Sequence, residues 1–181
     1  MNPDLDALRA AVTPPDDDDA WLAAEAAAHD RWATRAKPPG SLGALEAVAA
    51  KVAGITGTCP PPVPRRPAVA VFAGDHGAVA DGASAWPSEV TAAMVRGMAD
   101  GGAAVNAFAA SVGASVTLVD VGVAAELSDL GGAVVHAKVR PGTASVWAGP
   151  AMSRAEAEAA LAVGARVACD LVDGGADLLV G

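Results

Sequence analysis

Gly74-Asp75-His76-Gly77 places a carboxylate and an imidazole side by side between two glycines, directly after the apolar run Ala68–Ala73. An imidazole titrates near neutral pH and can act as donor, acceptor or acid–base group. Asp75 can orient it or accept hydrogen bonds from a sugar. The same residues can instead close a glycine-flanked turn through local hydrogen bonds, and the tripeptide alone leaves both readings open. A second group follows at Trp86, Val90 and Met94. Trp86 beside Pro87 gives a rigid flat surface, with Val90 and Met94 one helical turn apart on a single face. These three residues form either a lip for a planar heteroaromatic ligand or a stripe of core packing. Arg140-Pro141-Gly142-Thr143 adds a guanidinium, backbone donors and a hydroxyl. Arg140 suits a phosphate or carboxylate and is equally at home in water. Asp120 interrupts the apolar run Thr117–Val121, where a buried carboxylate must find backbone donors or face a crevice.

The elements that carry these groups read as strands and helices in alternation. Ala68–Ala73, Thr117–Val121, Val134–Val139 and Asp177–Val180 are short, apolar and bounded by turn residues, as strands covered on both faces should be. Helices are expected over Trp21–Arg35, over about Ser88–Ser111 with a break at Gly101-Gly102, and over Arg154–Asp173, where Ser153 and Glu156 make a capping box. A further helix capped by Ser41 carries Leu42, Leu45, Val48, Val52 and Ile55 at spacings of three and four, a stripe expected to face the core. Cys59–Pro67 is a proline-rich extended connection. The pattern predicts an α/β fold, a parallel sheet with helices on both faces in Rossmann-like layers. In such sheets ligands bind beyond the carboxyl ends of the strands, where Asp75, His76, Gly77 and Arg140 fall.

Residues 1–36 read as an N-terminal helical segment with an acidic, proline-rich link, TPPDDDD, and residues 37–181 as part of the α/β domain. That link reads as solvated, with magnesium binding the weaker alternative because no second acidic cluster converges on it. The strand Asp177–Val180 runs to Gly181, where a parallel strand must pass into a crossover. The expectation is a domain truncated there or completed by a partner chain.

Composition narrows the classes further. The 181 residues are 52% hydrophobic and carry a formal net charge of -9, with Arg65-Arg66 the longest basic run. Nucleic acid and anionic membranes are therefore excluded as expected partners. Cys59 and Cys169 sit in no CxxC, and Met1-Asn2-Pro3-Asp4 begins no signal peptide, which points to a reducing cytoplasm. His29, His76 and His136 are too scattered to nominate a metal site. The glycine fingerprint of a dinucleotide site is missing after the first strand, which reads GDHGAVADG, so no cofactor is expected.

Several blocks, in order, resemble one family. Lys37-Pro38-Pro39-Gly40-Ser41-Leu42-Gly43 with Leu45-Glu46 looks like a KPPGSLGxLE signature, and FAGDHGAVADGASAWPSEVTAAMV from Phe72 to Val95 looks like a central motif. Gly101–Asn106, Val119–Gly122 and Gly149–Ser153 match further blocks, so the resemblance spans Lys37 to Gly181. The family is that of the nicotinate-nucleotide:dimethylbenzimidazole phosphoribosyltransferases of cobamide assembly. The resemblance implies phosphoribosyl transfer from nicotinate mononucleotide to 5,6-dimethylbenzimidazole or a related base, with inversion at the ribose carbon. It gives α-ribazole phosphate and nicotinate. It also implies base-pocket roles for Trp86 and Met94, beside Val90, and a homodimer for full-length members. The family's glycine-rich phosphate loop and catalytic glutamate fall after the position of Gly181, so no catalytic base is expected within this chain. Ser145 stands where many relatives have asparagine. The alternative is a non-catalytic half-domain that binds an aromatic base or serves in assembly.

Overall fold

A computed structural model describes residues 19–181, which fall into two compact units, 19–63 and 64–181. Most of the acidic link lies outside the described residues.

The first unit is a helical hairpin of α1 (Asp19–Ala33) and α2 (Ala44–Thr56). Small residues set its packing: Ala28, Ala50 and Ala53 are buried together, and a β carbon on Gly54 would lie 2.9 Å from the Trp21 ring. The apolar stripe expected to face the core does not do so. Leu45 is 66%, Val48 56% and Ile55 68% exposed, because the alanine and glycine face admits closer helix approach and takes the interface. Ser41 does not cap α2 either; the helix begins after Gly43, with no side-chain cap. The intervening turn has its own clamp. Glu46 accepts hydrogen bonds from Lys37 Nζ at 2.7 Å and from the Leu42 amide at 3.1 Å, and Lys37 Nζ lies 5.6 Å from the Trp32 ring centroid. Those two donors hold the Glu46 carboxyl below its ordinary pKa.

The second unit is a four-stranded, wholly parallel sheet in the order β3-β2-β1-β4. Its strands are β1 (Pro67–Gly74), β2 (Ser115–Gly122), β3 (Val135–His136) and β4 (Leu178–Val180). Helices α3 (Glu89–Ala99) and α4 (Ala104–Val112) lie between β1 and β2, split where Gly101 takes a left-handed φ of 79°. Helix α5 (Arg154–Asp173) precedes β4. Alternation along the strands explains why both faces are covered. Leu118, with Val71 and Val116 at its edge, packs with Val95 of α3; Val119 and Ala70 pack with Val163 and Val167 of α5. The strand expected over Val134–Val139 is shorter as a regular element, Val135–His136. Its pairing with β2 nevertheless continues through the Ala137 amide to Asp120 O and the Val139 amide to Val121 O, both at 3.0 Å. Ser153 and Glu156 form the expected capping box at the start of α5.

Candidate functional site

The carboxyl end of β1 departs from regular pairing: the register with β2 shifts between Ala73 and Gly74. Such an irregularity at a strand end re-aims the residues that follow. There the Asp75 amide donates to Gly122 O at 2.9 Å, and Asp75 O accepts the Thr143 amide at 2.9 Å. Three segments, those after β1, β2 and β3, are thereby laced together around Asp75. Its side chain is buried, with Oδ2 accepting the Ala124 amide at 2.7 Å. His76 beside it is exposed. Asp75 is thus a tie between segments, made to Ala124 rather than through the local turn bonds the sequence offered, and it also lines the crevice.

Two cavities open on either side of this strand end, sharing Phe72, Gly74, Asp75 and His76. The first, about 340 Å³, is completed by Trp86, Pro87, Val90 and Met94. Trp86 is 70% and Met94 53% exposed, so both side chains present surface to this cavity. The Trp86 backbone is fixed by Ser84, whose Oγ accepts the Trp86 amide at 3.0 Å and donates to Trp86 O at 2.9 Å. Pro87 then limits the chain before α3 carries Val90 and Met94 past the opening. The lip is flat, apolar and built on a short constrained loop.

The second cavity, about 260 Å³, adds Val121, Arg140, Thr143, Met152 and Glu156. Arg140 Nη1 meets Glu156 Oε1 at 3.2 Å. Glu156 Oε2 also accepts the Ser153 amide at 2.7 Å, and this bond, with the Ser153 hydroxyl and the Arg140 charge, holds its carboxyl below the ordinary value. Arg140 is therefore already paired on one side of its guanidinium. Gly77 lines neither cavity. Its amide donates to Thr143 Oγ1 at 3.3 Å, and a β carbon there would sit 2.5 Å from Ala144 C and Ser145 N. The segment after β1 can approach the one after β3 only because residue 77 has no side chain. Ser145 Oγ is hydrogen-bonded to Asp81 and accepts the Trp147 amide, a second tie between the same two segments.

The structure thus groups Trp86, Val90 and Met94 with Asp75 and His76, places Arg140 across the strand end from the lip, and sets Gly77 behind the wall. Phe72, Glu156 and Met152 were not legible as site residues from the sequence. Glu156 showed only its capping spacing, while Phe72 and Met152 showed only membership of family-like blocks, with no role attached to either. Among the described residues no group of three or more His, Cys, Asp or Glu side chains is placed to hold a metal, and no helix is long and apolar enough to cross a membrane.

A phosphoribosyltransferase family model matches residues 18–181. The nicotinate-nucleotide–dimethylbenzimidazole phosphoribosyltransferase of Salinispora tropica is 46% identical over 97% of this chain and 50% of its own length. That of Chromobacterium violaceum is 48% identical over 88% of this chain and 45% of its own. A solved structure of the enzyme of that name from Thermus thermophilus superimposes with a TM-score of 0.76 at 46% identity, covering 86% of this chain and 47% of that one. The chain spans about half the length of the curated relatives it matches. A parallel sheet whose β1 end carries Gly74–Gly77 and the Trp86 lip, matched at this identity from residue 18 onward, places the chain in the nicotinate-nucleotide–dimethylbenzimidazole phosphoribosyltransferase family.

Proposed function

We propose that this chain takes part in transferring the phosphoribosyl group of nicotinate mononucleotide to 5,6-dimethylbenzimidazole or a related base, giving α-ribazole phosphate and nicotinate, in the cytoplasm. Its own share of the work is base binding by Trp86, Val90 and Met94, with Asp75 and His76 on the wall of the same cavity and Arg140 facing the ribose side. The observation that carries this reading is the lip: a largely exposed indole and thioether beside Val90, sharing one cavity with Asp75 and His76. Exposed aromatic surface of this kind stacks favourably on a planar ring. The homodimer implied by the resemblance belongs to the same reading.

A second reading, a base-binding unit that does not itself turn over substrate, rests on the same exposed apolar lip, which can hold a planar ring whether or not chemistry follows. One experiment addresses both. Dimethylbenzimidazole titrated into the protein should change its tryptophan fluorescence, and Trp86→Ala should remove that change; an unaltered response in the variant would refute the lip. Chromatography for α-linked nucleotide and released nicotinate then separates the readings. Product at ordinary enzymatic rates of about 1 s⁻¹ or more supports transfer, and binding without product supports the second reading.

A further inference from the structure

Asp75 and Asp120 are the buried carboxylates of the described residues, 6% and 1% exposed, and they converge on consecutive amides. The Val123 amide donates to Asp120 Oδ1 at 2.9 Å, and the Ala124 amide donates to Asp75 Oδ2 at 2.7 Å. Lys138 closes the arrangement from the far side. Its Nζ lies 3.4 Å from Asp120 Oδ2 and 3.7 Å from Glu126 Oε1, and donates to Ala125 O at 2.7 Å. Four successive residues after β2, 123–126, are thus gripped by one cation and two carboxylates. Neither Asp120 nor Lys138 lines either cavity.

The orientation of the Asp75 carboxylate depends on this turn. Oδ2 is held by the Ala124 amide, while Oδ1 receives no hydrogen bond from the described residues, and Asp75 lines both cavities. A single amide therefore sets how the remaining oxygen is presented to a bound molecule. That amide is only as fixed as its turn. Removing the Lys138 charge would leave Asp120 buried without its cation, and the turn would have to shift to rehydrate it.

We propose that Asp120 and Lys138 are positioning residues, pinning the turn whose Ala124 amide orients the Asp75 carboxylate where the two cavities meet. The functional part of this inference rests on the reading of Asp75 as a substrate-facing group. The structural part does not.

The test uses Lys138→Met, Lys138→Arg, Asp75→Asn and the Lys138→Met/Asp75→Asn double variant. Amide hydrogen exchange followed by NMR reads the turn directly. In Lys138→Met, exchange at Ala124 should accelerate about tenfold or more, the scale of losing a hydrogen bond to a charged group. Val119, in the sheet core, should be unaffected, and Lys138→Arg, which keeps the charge, should restore protection. Dimethylbenzimidazole titration reads the consequence. Lys138→Met should weaken binding several-fold in the parent and add nothing in the Asp75→Asn background, because both changes act through one carboxylate. Unchanged exchange at Ala124, or losses in affinity that simply add, would overturn the proposal. If Asp75→Asn leaves base affinity untouched, the substrate-facing reading fails instead, and the exchange measurement still decides whether Lys138 positions Asp75. Should Lys138→Met not fold, Asp120→Asn removes the same ion pair while keeping an acceptor for Val123, and the same change in Ala124 exchange is required of it.

Discussion

At residue 77 a β carbon would lie 2.5 Å from Ala144 C and Ser145 N and 2.7 Å from Thr143 O, all of them backbone atoms. A flexible side chain can move aside; these atoms can yield only if the segment after β3 moves away from the one after β1. Gly77→Ala should therefore cost about 1–3 kcal/mol, the usual range for overpacking, measured as a loss in urea midpoint. It should also weaken base binding, because Thr143 and Trp86 sit on the two segments being forced apart. The role of Gly77 was legible only as one glycine among several, since close approach is a property of the partner backbone. Glu156 makes a different case. The Ser153 amide and hydroxyl and the Arg140 charge hold its carboxyl below the ordinary glutamate value, so its ionised form favours the folded state. That contribution is present above about pH 4.3, the unfolded value, and is lost as pH falls through the lowered folded value. Glu156→Gln should thus be less stable than the parent at pH 7, with the gap narrowing as the pH drops below 4. Urea unfolding at pH 7, 4 and 3 checks this; a gap constant with pH would mean that the charge on Glu156 is irrelevant to the fold.

At the level of elements, the parallel sheet, the covering of its two faces and the break between α3 and α4 followed from apolar runs and glycine placement. The packing face of α2 did not. Periodicity identifies which residues share a face, but Ala50, Ala53 and Gly54 share one too, and closeness of approach decided between them. The last strand shows a similar gap between pattern and contact. Asp177 read as its first residue, whereas β4 begins at Leu178 and Asp177 is a clamp. Its Oδ2 accepts the Arg65 amide at 2.8 Å and its Oδ1 the Arg66 amide at 2.9 Å, which lowers its pKa. Both donors immediately precede β1, so one carboxylate sets the register in which Pro67 meets Leu178. Nothing in the sequence spacing of residues 65 and 177 could announce this. With three paired residues, β4 has little else to hold it. Asp177→Ala should release the strand: its amides should exchange markedly faster while those of β2 remain protected. Equal protection of β4 in the variant and the parent would show that strand pairing alone suffices.

For the whole molecule, surface apolarity and net charge pull in opposite directions. Leu178, Leu179 and Val180 are 38–48% exposed, Phe72 is 40% and Leu161 is 64% exposed. On the α5 side of the sheet, Phe72, Val121, Leu161 and Gly164 border an open apolar hollow of about 670 Å³. Contiguous apolar surface of this kind drives association, and an open strand edge offers unpaired backbone groups to it. Against this stands a formal net charge of -9, which keeps copies apart at low ionic strength. Salt screens the repulsion, with a Debye length falling from about 30 Å at 0.01 M to about 10 Å at 0.1 M, and leaves hydrophobic attraction intact. Self-association should therefore grow with salt, the reverse of what ion-paired interfaces show. Sedimentation velocity at several protein concentrations in 10 mM and 300 mM salt measures it. Leu161→Glu should suppress association at both salt concentrations, whereas Ala159→Glu, an equal charge at another exposed position of α5, should act only at low salt. If the two substitutions behave alike, charge and not the apolar face governs association. If the parent stays monomeric at 300 mM, the exposed leucines are too dispersed to bind a second surface.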